Sequence, residues 1–387
     1  MITIALFILA GTLFLAYANG ANDNFKGVAT LAGSGTLDFR RALGWATITT
    51  LLGSVAAIVW ATALLRTFSG KGLVADAIAA EPVFMVAVAL AAGTTVIIAT
   101  LTGLPISTTH ALMGALVGSG LAATGGQVAW SNLGGAFVLP LLLSPFAAVG
   151  LALVAYPPLR WLRRRTGITS ETCVCLETGG FAPLTAPAAG PPNGPRSDVA
   201  HCCGAAAPSL VIDKTTRCVE RYSGRVLGVS AAGVADFVHF LSAGAVSFAR
   251  GLNDTPKIVA LLISSQALVA LTGTGGPRLG FALVAVCIAL GGLLNARRVA
   301  RTMSRRITDM NIGQGLTANL VTAFLVLVAS RFGMPVSTTH VSCGALFGIG
   351  TVTRQAHWRT IGLILLAWIT TLPLAAALGA MVYTLMR

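Results

Sequence analysis

G-A-N-D-N-F-K, running from Gly20 to Lys26, returns as G-L-N-D-T-P-K from Gly251 to Lys257. A second motif follows each copy at a matched distance: G-L-P-I-S-T-T-H, Gly103 to His110, against G-M-P-V-S-T-T-H, Gly333 to His340. Small residues continue the register, with Gly114 answering Gly344 and Gly118 answering Gly348. Two polar motifs recurring in order at matched spacing mark an internal repeat.

The repeat is set in apolar sequence. Only 10% of the 387 residues are charged, whereas a soluble domain needs about a quarter, and the mean hydropathy is +0.82. Seven or more apolar runs, starting near Ile2, Ala42, Pro82, Leu133, Val226, Leu279 and Gly362, approach the roughly 20 helical residues that cross a bilayer core. The 44 glycines suit close helix contacts in lipid. The expected fold is an all-α polytopic membrane protein with two inverted-topology repeats, whose broken or re-entrant helices meet at the midplane. Residues 1–156 form the first repeat and 225–387 the second. Between them, 157–224 is rich in Pro, Gly and charge and reads as a flexible cytoplasmic linker. Met1 to Ala18 lacks a basic leader and a small-residue cleavage pattern, so it reads as a retained first helix.

The net charge of +14 raises nucleic acid as a partner. In a bilayer protein, however, Lys and Arg gather in cytoplasmic loops and set orientation. Arg160–Arg165 and Arg297–Arg306 fit that pattern, so the expected partner is lipid and not nucleic acid.

Asn22, Asp23 and Lys26, with Asn253, Asp254 and Lys257, lie in apolar surroundings where ionisable residues cost at least about 2.5–3.5 kcal/mol. Asp and Lys three apart share a helix face and can neutralise one another. The same costly pair appears at both equivalent positions, which points to a site. Gly20, Gly251 and Pro256 suit an interrupted helix whose unwound backbone would face a cation or substrate. Ser107, Thr108, Thr109 and Ser337, Thr338, Thr339 each follow Gly-x-Pro-x and open a helical run. Free N–H groups and hydroxyls at such a start suit an oxyanion; simple capping is the alternative. His110 and His340 close the motifs, either bonding nearby backbone or carrying a proton. Asp236, His239 and Arg250 precede the second N-D motif without counterparts in the first half, and Asp236 and His239 read as a structural pair or a proton relay.

At these residues the chain resembles the inorganic phosphate transporter (PiT) family, across both apolar halves but not the linker. The resemblance implies an inverted-repeat carrier, often a homodimer, moving phosphate with sodium or protons. It also implies that Asp23, Asp254 and the two Ser-Thr-Thr triplets contact phosphate or its coupling ion. One departure stands out: family members usually carry Asn three residues after the Asp, where this chain has Lys26 and Lys257. An ammonium there would fill the space of a bound sodium and supply its charge, pointing to less sodium dependence and to proton coupling. The two cations also keep sulfate open as a cargo.

Cys173, Cys175, Cys202 and Cys203, with His201, make a weak candidate metal cluster in the linker, whose spacing matches no familiar zinc pair. No nucleotide-binding phosphate loop is present, and no nucleophile–base–orienter set emerges from the spacing. The expected protein is therefore a secondary transporter of the cell (inner) membrane without a cofactor, driven by a coupling cation, H+ or Na+. A sulfate or other oxyanion permease, or an anion channel, is the alternative; an enzyme is not expected.

Overall fold

The computed structural model describes residues 2–60, 62–69, 72–167, 172–177, 209–214, 228–272 and 276–387. They fall into two compact units, Met1–Arg160 with Val238–Arg387, and Trp161–Phe237.

The larger unit is helical. Its first half comprises α1 (Ile2–Asp23), α2 (Ala29–Gly33), α3 (Phe39–Trp60), α4 (Thr62–Thr67), α5 (Asp76–Ala79), α6 (Pro82–Thr102), α7 (Thr108–Thr124), α8 (Trp130–Leu133) and α9 (Leu139–Arg165). The second half comprises α10 (Ala231–Ser264), α11 (Ala267–Thr272), α12 (Gly276–Asn295), α13 (Arg297–Arg301), α14 (Ile312–Arg331), α15 (Thr338–Thr353) and α16 (Trp358–Met386). Among the described residues, eight helical stretches are long and apolar enough to span a bilayer. Ile312–Arg331 is the one not marked by an apolar start in sequence, because Gln314, Thr317 and Asn319 dilute its opening turns; these residues are buried against protein. Large apolar side chains such as Val59, Phe146, Val154 and Ile369 point outward, a surface suited to lipid and not to water.

Local signals set the helix ends. Pro82 stands in the first turn of α6, where its missing N–H is no loss, and Gly103 ends that helix in the left-handed region at φ 77°. A reciprocal Asn311–Gln314 capping box opens α14.

The halves clasp each other. α16 packs along α7, and a Cβ at Gly118 would stand 1.9 Å from the Ala376 carbonyl oxygen. In the mirror arrangement α9 lies on α15, where a Cβ at Gly348 would stand 2.8 Å from the Val149 oxygen. Each half therefore covers the other's Ser-Thr-Thr helix with its own last long helix.

Gly20 and Gly251, expected to loosen their helices, instead lie inside α1 and α10 at close helix crossings. A Cβ at Gly20 would fall 1.9 Å from the Ile288 oxygen, and one at Gly251 would fall 2.2 Å from the Thr50 oxygen. The first copy does break: α1 ends at Asp23, and a single 3-10 turn over Lys26–Val28 leads into α2. The second copy does not, since α10 runs through Pro256 without interruption. One missing N–H is tolerated in a helix packed on all sides, whereas at Gly27 the chain passes so near Ser247 that a Cβ would lie 2.2 Å from its hydroxyl.

The smaller unit holds β1 (Thr172–Glu177), β2 (Ser209–Lys214) and β3 (Gly228–Ser230) in an antiparallel sheet of order β2-β1-β3. Thr172 pairs with Lys214 and Cys173 with Ser230. The stretch read as a flexible linker thus carries a sheet, and α9 continues through Pro157 and Pro158 to Arg165, past the boundary that composition marked. Cys173 and Cys175 lie on β1; His201, Cys202 and Cys203 lie outside the described residues. Among the described residues no group of three or more His, Cys, Asp or Glu is arranged to hold a metal.

Candidate functional site

The two Ser-Thr-Thr motifs open α7 and α15 in the same way. Ser107 accepts a hydrogen bond from the His110 N–H and Ser337 from the His340 N–H, both at 3.1 Å. The two Ser hydroxyls are therefore helix caps; the Thr residues behind them are buried, and Thr108, Thr109 and Thr339 bond to residues of the N-D motifs.

Each lysine reaches across to the other half. The Lys26 ammonium donates to Asn22 Oδ1 at 2.8 Å, the Ile106 carbonyl at 2.9 Å, Thr339 Oγ1 at 2.5 Å, and the Asp23 carboxylate. Lys257 does the reciprocal: it donates to the Val336 carbonyl at 2.9 Å, Thr109 Oγ1 at 2.8 Å and Asp254 Oδ1 at 3.4 Å. Ile106 and Val336 are equivalent positions of the repeat, as are Thr109 and Thr339. The threonines complete the pattern, Thr339 donating to the Ile106 carbonyl at 2.7 Å and Thr109 to the Val336 carbonyl at 3.4 Å. The motif copies thus meet inside the protein in a two-fold-like arrangement, with Lys26 at 3% and Lys257 at 1% exposure.

The asparagines of the motifs tie this centre to its own half. Asn22 donates to Thr100 at 2.9 Å and to the Leu104 carbonyl at 3.1 Å. Asn253 donates to the Val336 carbonyl at 3.3 Å and accepts from Ser330 at 3.2 Å.

Asn19 joins the two carboxylates, and Arg250 stands behind it. The Asn19 amide lies 3.2 Å from Asp23 Oδ2, 3.4 Å from Asp254 Oδ2 and 3.0 Å from Thr108 Oγ1. Arg250 is 1% exposed. It donates to Asn19 Oδ1 at 3.4 Å, Asn24 Oδ1 at 2.9 Å and Thr50 Oγ1 at 3.0 Å, and among the described residues its Nε has no partner. A guanidinium does not lose its proton in proteins. With both Asp–Lys pairs balanced, Arg250 leaves the centre one positive charge in excess.

His110 and His340 meet ring to ring, 4.4 Å between centroids, and His340 stacks on Trp368 at 3.9 Å. They border a cavity of about 660 Å³ lined by apolar groups, among them Pro145, Phe347, Ile369 and Leu372. Among the described residues, Nδ1 of His110 has no hydrogen-bond partner. His239 reaches Thr36 Oγ1 at 3.4 Å.

Residues 19–379, a span that takes in both motif copies, match the phosphate transporter family. The chain belongs to that family. A probable low-affinity inorganic phosphate transporter of Rhizobium meliloti is 28% identical over 97% of this chain and 94% of its own. One of Mycobacterium leprae is 26% identical over 97% of this chain and 76% of its own. The solved structure titled "The sodium-dependent phosphate transporter" superposes with a TM-score of 0.74 at 21% identity, covering 99% of both chains, and so shares the fold. This chain is accordingly a membrane protein of a transporter family and not an enzyme.

For this family member, sequence reasoning located the Asp, Lys and Thr groups that the structure gathers, but not Asn19 or the partners of Arg250. The repeat itself held the signal: the register that aligns Asp23 with Asp254 also aligns Asn19 with Arg250.

Proposed function

We propose that the chain is a secondary active carrier of inorganic phosphate in which two built-in lysine ammonium groups stand where a coupling sodium would bind, so that uptake is driven by protons. One observation carries this reading: Lys26 Nζ is surrounded by four oxygens, from Asn22, Asp23, Ile106 and Thr339. A carboxylate, an amide oxygen, a carbonyl and a hydroxyl form the kind of oxygen cage that hard cations occupy. The cargo is an oxyanion drawn by the excess charge of Arg250 and by the helix starts of α7 and α15. The single surplus charge balances a monoanion such as dihydrogenphosphate, while a dianion would need an accompanying proton. Movement of one half against the other, as inverted-repeat carriers do, would separate the Lys26–Thr339 and Lys257–Thr109 contacts and change which side the anion faces. The same reading includes a homodimer in the cell (inner) membrane with its basic clusters toward the cytoplasm.

Purified protein in proteoliposomes, with sodium and pH gradients imposed separately, tests it. Phosphate uptake should follow an inward proton gradient and be indifferent to sodium; a strict sodium requirement would overturn the coupling. Competition by sulfate and arsenate against radiolabelled phosphate ranks the cargoes, and sulfate uptake exceeding phosphate would reassign the substrate.

A further inference from the structure

The transport motif does not account for a group of arginines that stands next to it. A cavity of about 560 Å³ is lined by Arg40, Arg297, Arg301 and Arg305, with Asp38 at its edge and Phe25 and Phe39 in its wall. All four arginines are exposed, and among the described residues none has a carboxylate within ion-pair distance. Asp38 is engaged elsewhere: it faces Arg41 at 3.4 Å and accepts the Arg40 and Arg41 backbone N–H groups. Phe25 is 1% exposed, stacks on Phe39 with centroids 4.9 Å apart, and immediately precedes Lys26. Arg297 and Arg301 also line a second cavity of about 380 Å³ that ends on Thr100, the residue to which Asn22 donates. Both cavities thus abut the first N-D motif, one through an aromatic pair and one through a hydrogen-bond partner.

Orientation in the bilayer calls for basic residues on one side of the membrane. It does not call for unpaired guanidiniums around a cavity whose wall touches the transport site. A guanidinium presents a planar fork of donors that matches the oxygens of phosphate-like anions, and a cleft lined by one sign of charge concentrates its counter-ion.

We propose that this arginine-lined cavity is a vestibule that binds the cargo oxyanion on the face carrying the Arg297–Arg306 cluster, on the cytoplasmic side of the Phe25–Phe39 pair. The inference rests on the oxyanion-carrier reading given above. The ligand chemistry is a tetrahedral oxyanion, which free phosphate and a phospholipid headgroup share. The free ion is the occupant in this proposal.

The test uses the full chain in vesicles of phosphatidylcholine alone and in vesicles also containing phosphatidylglycerol. Wild type is compared with Arg301→Gln/Arg305→Gln, Arg301→Lys/Arg305→Lys and, as a charge control outside the cavity, Arg359→Gln. In phosphatidylcholine, with phosphate presented to the arginine-bearing face, the Gln pair should raise KM for phosphate about tenfold while Vmax falls less than twofold, and the rise of KM with ionic strength should flatten. The Lys pair, keeping charge but not the fork, should fall between, and Arg359→Gln should match wild type. An unchanged KM in the Gln pair overturns the vestibule, as does an effect confined to phosphatidylglycerol vesicles, which would make the occupant a lipid headgroup. Wild-type vesicles that accumulate no oxyanion would overturn the carrier reading itself, and this inference with it.

Discussion

Replacing Lys26 with Asn tests whether the ammonium stands in for a metal cation. The substitution leaves Asn22 Oδ1, the Ile106 carbonyl and Thr339 Oγ1 in place but removes the cation at their centre. Asp23, 1% exposed, then loses its ion-pair partner. Removing one member of a buried ion pair costs about 3–5 kcal/mol, and each 1.4 kcal/mol is about tenfold. Without sodium, Lys26→Asn should therefore lose about two to three and a half orders of magnitude in uptake, or most of its folding stability. Sodium entering the vacated cage would restore the charge and part of that loss, turning a sodium-indifferent carrier into a sodium-dependent one. The measurement is paired: initial phosphate uptake into proteoliposomes with sodium or choline chloride, and thermal unfolding of the detergent-solubilised variant over a sodium titration. Wild-type rates in choline, with no sodium-dependent rise in Tm, would refute the counter-ion argument.

Gly20→Ala should destabilise the protein by about 3 kcal/mol or more, since the added carbon would lie 1.9 Å from the Ile288 oxygen. Gly362→Ala, where a Cβ meets open space, should leave thermal unfolding unchanged or slightly higher. Thr109→Val and Thr339→Val each remove a hydroxyl bonded to a lysine of the other half, a loss of about 1.5–3 kcal/mol. The two should lower unfolding midpoints by similar amounts, and a large effect in only one would refute the reciprocity of the halves.

Much of this architecture was legible in the repeated motifs. Asp and Lys three residues apart do pair in both copies, and both Ser-Thr-Thr triplets do open helices. The features that escaped notice depend on contacts between distant segments. Arg250 reaches Asn24 across 226 positions, and such a contact leaves no periodic trace. Gly20 was ambiguous for a physical reason: a missing side chain permits an unusual backbone and a close crossing equally well, and only the neighbour, Ile288, decides between them. Pro256 misled similarly, because a helix supported by surrounding protein absorbs one lost hydrogen bond.

The clasp formed by α9 on α15 and α16 on α7 has a consequence for biogenesis. Until the ribosome has delivered Trp358–Met386, one flank of α7 lacks the helix that later covers it, and Lys26 waits for Thr339 as well. The amino-terminal portion therefore enters the bilayer as an unfinished intermediate, and its charged centre closes only when α10 and α15 bring Lys257 and Thr339 to it.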